Sequence, residues 1–333
     1  MNFRLVALIM ALAFMANLAY GGPAKKLPGS NIKAEIAALK QAIAKNPDDA
    51  KAYFSLGYNY GKLGDFVNEI KAYKEAINID SSDANTYYNL GIAYKALNKL
   101  PEAIDAYKKA IKLNPKDSDA HYNLGNAYRA LKMFDDAIAA YQESLKIQPK
   151  AADATLNIGL SYQLMGKAKE ALEYYKKAAS LDPKMPEPLY NTGIILDEQG
   201  KSQDAVEAYK KAIKIDPGYV KAYYNMGIAY SNLGKLNDEI RSYKEALIVD
   251  PRYENAVYNL GYAYQKSKNY KEAIRYYKDT VKLNPKADDA IYNIGLCALE
   301  LGDKQAAKMQ YEQLKKLNSR NFAGKLLKKI NDK

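Results

Sequence analysis

Seven asparagines, Asn89, Asn123, Asn157, Asn191, Asn225, Asn259 and Asn293, stand 34 residues apart along this 333-residue chain. The residue before each is tyrosine in six cases, Tyr88, Tyr122, Tyr190, Tyr224, Tyr258 and Tyr292, with Leu156 the exception. An asparagine amide offers a donor and an acceptor side by side, the complement of the N–H and C=O of an extended backbone. Tyrosine adds rigid contact area with a polar tip. On successive helices about 10 Å apart, and with an extended chain advancing about 3.3 Å per residue, one amide would meet one backbone group every three residues. The chemistry is sequence-tolerant peptide capture. It predicts that removing Asn157, Asn191 and Asn225 weakens capture and leaves folding intact.

Catalytic groups are few. The single histidine, His121, falls on a core-facing helix position, which favours packing over proton transfer. The single cysteine, Cys297, occupies a place where equivalent segments carry Ala93, Ala127 and Ala229, so burial argues against a nucleophile. One Cys and one His exclude an intrachain disulfide and leave no multi-ligand Cys/His metal site. No phosphate-binding glycine loop or nucleophile elbow is present. The reading is a protein that is not an enzyme and uses no cofactor and no metal. Lys and Arg exceed Asp and Glu by 50 to 38, a thinly spread excess that bears on partners and says nothing about fold.

The elements that must position these residues repeat at the same 34-residue period. Gly57, Gly91, Gly125, Gly159, Gly193, Gly227, Gly261 and Gly295 mark it, and a fixed period of this length predicts a helical solenoid. In the unit 84–117 a first helix carries Tyr87, Leu90, Gly91 and Tyr94 on one stripe, and a second carries Ala103, Tyr107, Ala110 and Ile111. Gly64, Gly166, Gly200, Gly234 and Gly302, or Asn98, supply the turn between helices, and six units end on a proline such as Pro115.

With these residues in view, the chain resembles the tetratricopeptide repeat family. It has the small residue at place 8, the aromatic at 11, alanine at 20 and 27, and proline at 32. All eight place-24 positions are tyrosine: Tyr73, Tyr107, Tyr141, Tyr175, Tyr209, Tyr243, Tyr277 and Tyr311. The resemblance implies an all-α, right-handed superhelical solenoid of antiparallel helix pairs, with places 2, 5, 9, 12 and 13 lining a concave groove. Asparagine ladders in long members hold extended peptides there, which strengthens the reading of the sixth place. The family's carboxylate clamp for acidic chaperone tails is not met, since the sixth places that would be arginine are asparagine.

The repeats are expected at 50–83, 84–117, 118–151, 152–185, 186–219, 220–253, 254–287 and 288–319, with capping helices over 32–47 and 320–333. In the last of these, Phe322, Leu326, Leu327 and Ile330 should form one face. Glu69 and Glu239 replace the place-20 alanine, so each either extends to solvent or widens the local packing. The fifth repeat is the least regular, with Pro186, Pro188, Thr192, Ile195 and Leu196. Groove places carry Lys51, Lys62, Lys95 and Arg129 early and Asp153, Glu187, Asp197, Glu198, Asp289 and Glu300 later, with Lys221 and Lys266 between, which would orient a ligand.

Residues 1–21 predict an export signal, with Arg4, the apolar run LVALIMALAFMA and cleavage after Gly21, followed by a flexible leader over 22–31. The expected location is periplasmic or secreted; a retained membrane anchor is the alternative, and the apolar run, short for a span, argues against it. The expected partner is a protein or extended peptide, with no nucleic acid. An anionic lipid or glycan surface, met by the Lys108-Lys109, Lys176-Lys177 and Lys210-Lys211 pairs, is the alternative, as is service as an accessory arm for a separate enzyme.

Overall fold

The computed structural model describes residues 30–332, in which 18 α-helices follow one another with no strand. The expected signal over 1–21 and most of the leader over 22–31 lie outside the described residues. These fall into two compact units, divided between Lys116 and Asp117.

The first unit holds α1 (Ser30–Lys45) and the pairs α2 (Ala50–Lys62) with α3 (Phe66–Ile79) and α4 (Ala84–Ala96) with α5 (Leu100–Leu113). The second holds α6 (Ser118–Ala130), α7 (Phe134–Ile147), α8 (Ala152–Leu164), α9 (Ala168–Leu181), α10 (Glu187–Glu198) and α11 (Ser202–Ile215). It continues with α12 (Val220–Asn232), α13 (Leu236–Val249), α14 (Glu254–Lys266), α15 (Tyr270–Leu283), α16 (Asp288–Glu300), α17 (Lys304–Lys316) and α18 (Arg320–Asp332). Each unit is a stack of antiparallel helix pairs, and the fold class is the all-α helical-repeat solenoid.

Local chemistry sets the helix ends. Asp49, Asp65 and Asp83 accept hydrogen bonds from the exposed amides of α2, α3 and α4, which satisfies donors that an α-helix leaves open. Between the helices of a pair one residue takes the left-handed conformation. It is Gly64, Gly166, Gly200, Gly234 or Gly302 in five pairs, and Asn98, Lys132 and Lys268 in three others. The two lysines carry no turn signal of their own, and the surrounding packing imposes the conformation.

The core is a line of tyrosines. Tyr73, Tyr107, Tyr141, Tyr175, Tyr209 and Tyr277 are fully buried, each rising from a second helix onto the glycine of its own first helix. A Cβ at Gly91 would stand 2.5 Å from Tyr107, so only glycine admits the ring. Full burial of such a ring contributes roughly 1.5–3 kcal/mol. The buried face of α4 is Thr86, Leu90, Gly91 and Ala93, one residue displaced from the expected stripe at two positions. Tyr87 and Tyr94 flank it half-buried, because the tight helix contact takes small side chains and turns the large ones outward.

The last repeat departs from the pattern. Gly295 receives Leu326 of α18 in place of Tyr311, which is half-buried. The buried face of α18 is Ala323, Leu326 and Ile330, whereas Leu327, expected on that face, is 37% exposed. In the fifth repeat Ile195 fills the place that is alanine in four of the other repeats and is buried.

Candidate functional site

The sixth-place asparagines are not free amides facing an empty groove. In the second unit the Nδ2 of Asn157 donates to the hydroxyl of Tyr122 at 3.0 Å, and Asn225 donates to Tyr190 at the same distance. Asn259 donates to Tyr224 and Asn293 to Tyr258, each at 3.1 Å. Every rung joins an asparagine to the fifth-place tyrosine of the preceding repeat, so the two ladders that the sequence shows side by side form one ladder between helices.

The exceptions follow from chemistry. The position that would serve Asn89 is Phe54, which has no hydroxyl, and Asn89 turns back to its own helix at the Asn85 carbonyl, 2.9 Å away. For Asn191 the corresponding residue is Leu156, and this half-buried amide has no such rung.

The tyrosines in turn lean on the core. Tyr88 packs on Tyr107, Tyr122 on Tyr141, Tyr190 on Tyr209, Tyr224 on Tyr243 and Tyr258 on Tyr277, with ring centroids 5.5–6.1 Å apart. Tyr292 packs instead on Phe322 of the C-terminal helix. All six fifth-place tyrosines are half-buried. They belong to the stack as much as to any surface. Burial pushes the hydroxyls of Tyr122, Tyr190 and Tyr224 up, and that of Tyr258 to about 12, so all stay neutral near pH 7 and serve as fixed acceptors.

Each of these asparagines spends an N–H on its tyrosine, and Asn157 donates as well to Asn126 Oδ1, while the amide carbonyl remains an acceptor. The amide is thereby oriented, and its remaining capacity is what an extended backbone can use. Asn157 is the most enclosed, 8% exposed, and also lies 3.4 Å from Asn126 Oδ1, which accepts from the Tyr141 hydroxyl.

Two site residues have no counterpart in the sequence reading. Tyr219 and Tyr253 occupy the position where earlier repeats place the capping aspartates Asp83 and Asp117. Their rings stand edge-on to Tyr190 and Tyr224 at centroid distances of 4.9 and 5.4 Å. The loss of the N-cap acid at these two positions was the available signal. A neighbouring cavity of about 310 Å³ in the same unit is lined by Tyr224, Tyr258, Asn259, Glu254, Asp288 and Asp289. In the first unit the equivalent cavity, about 400 Å³, is lined by Lys51, Phe54, Asp80, Asp83 and Thr86.

Several expected groove charges are committed elsewhere. Lys266 lies 2.9 Å from Glu239, and Asp197 accepts from Ser202 and from Asn232. On the second helices Lys210 pairs with Glu207, Arg275 with Glu272 and Lys282 with Asp279, each one turn apart, the pairing expected of a solvated face. His121 is half-buried rather than packed in the core. Cys297 is fully buried, and burial pushes its thiol up to about 12, which keeps it a thiol at neutral pH. Among the described residues no group of three His, Cys, Asp or Glu could hold a metal ion, and no helix is long and apolar enough to cross a membrane.

Over residues 30–260 the sequence matches the family described as the cilia and flagella-associated protein 70 C-terminal domain, and over 258–315 the tetratricopeptide repeat. The chain belongs to the tetratricopeptide repeat family. Among solved structures it is similar to PilF of Pseudomonas aeruginosa at 22% identity, covering 61% of this chain and 94% of that one with a TM-score of 0.52. It is similar to a chain of the Cut9–Hcn1 hetero-tetramer of APC/C at 18% identity, covering 80% and 52% with a TM-score of 0.53. MamA is 30% identical over 50% of this chain and 97% of its own, with a TM-score of 0.48. A comparison with curated proteins finds no match.

Proposed function

We propose that this tetratricopeptide repeat protein is a non-catalytic scaffold that holds an extended polypeptide along its first helices. The observation that carries the reading is the set of four asparagine amides, Asn157, Asn225, Asn259 and Asn293, fixed on tyrosine hydroxyls in the second unit. Orientation before binding lowers the entropy lost on binding, and a repeated amide suits a repeated backbone better than any one side chain. The half-buried tyrosines beside the amides supply contact area. Export is part of the proposal and rests on the sequence of residues 1–21 alone. Binding to an anionic surface draws no support from the second helices, where acids one turn away engage Lys210, Arg275 and Lys282.

The rungs change the choice of test. Asn157→Ala and Asn225→Ala would remove an inter-repeat hydrogen bond along with a candidate binding amide, so a loss of binding could reflect a loosened stack. Asn191 makes no rung, and Asn191→Ala isolates the recognition role. The experiment places a photo-crosslinking residue at position 191 or, separately, at the exposed Lys211, and maps the adducts formed with captured polypeptide. Adducts concentrated at 191, and weaker capture by Asn191→Ala with unchanged thermal stability, are expected. Adducts confined to 211 would overturn the proposal.

A further inference from the structure

Glu69 and Glu239 occupy the same place in repeats five periods apart, and both are buried, 6% and 2% exposed. An ionised carboxylate in such a position needs a partner. Glu239 has one. The ammonium of Lys266, from the next repeat, lies 2.9 Å from Glu239 Oε2 and donates to Ser231 Oγ at 3.0 Å.

In the first unit the same two places are emptied of that chemistry. The counterpart of Lys266 is the exposed Ala96, and the counterpart of Ser231 is Gly61. The Glu69 carboxyl lies directly over Gly61, where an added Cβ would come within 2.7 Å of Oε1. Its Oε2 is buried without a hydrogen-bond partner, and the Tyr73 hydroxyl donates to the carboxyl. Burial pushes the group up to about 7, against the hydrogen bond from Tyr73. The acceptor half of the Lys266 site is therefore present, and the ammonium half is absent.

We infer that the Glu69 carboxyl, lying over Gly61, receives the side-chain ammonium of a lysine in a bound polypeptide, as Glu239 receives that of Lys266. The inference rests on the groove reading above and names one of its contacts. A hard metal ion is a poorer fit, since one carboxylate and a phenol fall short of the oxygen ligands such ions take. The occupied copy of the site holds a primary ammonium.

The test titrates the full mature chain at pH 8 with the peptide acetyl-GAGKGAG-amide, with the same peptide carrying norleucine for lysine, and with butylammonium chloride. The wild-type chain should bind the lysine peptide at least tenfold more tightly than the norleucine peptide, and butylammonium more weakly than either. Glu69→Gln removes the negative charge, and Ala96→Lys supplies an ammonium from the chain itself. Each should lower the lysine peptide to the level of the norleucine peptide while keeping the thermal stability of a folded chain. Equal binding of both peptides by the wild type overturns the inference and leaves the groove reading standing. A lysine preference that survives Glu69→Gln, or butylammonium binding as tightly as the peptide, also overturns it. So does failure of both peptides to bind, in which case crosslinking at position 191 judges the groove reading separately.

Discussion

Replacing Glu69 by glutamine should leave stability nearly unchanged at pH 4 and raise it at pH 8. The wild-type carboxyl titrates at about 7 in the folded chain, against 4.5 when unfolded, because burial opposes its charge and only the Tyr73 hydroxyl favours it. Tyr73 is the titratable group bonded to it, with Tyr58 near Tyr73, and both are held neutral well above this range. A raised acid binds more protons folded than unfolded between those two values, so stability is full below 4.5, falls as pH rises through the window and is lost above 7. At about 1.4 kcal/mol per pH unit the whole window is worth roughly 3 kcal/mol. That figure is an upper limit, since water reaching the carboxyl over Gly61 reduces it. Glutamine has no charge to bury. Urea unfolding of both chains at pH 4, 6 and 8 measures the effect as a difference, so other titrating groups cancel. The glutamine advantage should grow by roughly 2 to 3 kcal/mol across the series. An advantage that is the same at all three pH values would refute the reasoning.

Gly91→Ala should destabilise the chain by about 1–3 kcal/mol in chemical denaturation, because a methyl group would stand 2.5 Å from the fully buried Tyr107 ring. Gly324→Ala is its control. Nothing lies within 4 Å of a Cβ there, and the change should stabilise by about 0.5–1 kcal/mol through helix propensity. Leu156→Tyr offers Asn191 the hydroxyl that the other rungs use. A double-mutant cycle with Asn191→Ala should show a coupling of about 0.5–1.5 kcal/mol, and no coupling would deny that the rung is set by the fifth-place residue. Lys268→Gly should raise the melting temperature slightly, since Lys268 holds φ at 60°, a conformation costing a side chain about 1–2 kcal/mol, partly offset by glycine's unfolded-state entropy.

The period, the helix pairs and most of the core were legible in the sequence because they are local. A 34-residue spacing of glycine, alanine and tyrosine, with aspartates and glycines at helix ends, leaves few other arrangements for this chain. The candidate site was half legible. Tyr88 and Asn89, and their repeats, were visible as a pattern, and what they bond to was not. A rung such as Asn225 to Tyr190 joins residues 35 apart, and only the stacking of one helix pair on the next decides that the amide meets a hydroxyl before it meets any ligand. The same stacking stands Tyr219 and Tyr253 against the ladder. It also buries two chemically identical side chains in different surroundings, Glu239 beside an ammonium and Glu69 beside a glycine. Composition and spacing specify which residues lie inside. The neighbours that set each group's charge, orientation and freedom come from other helices, and the fold alone supplies them.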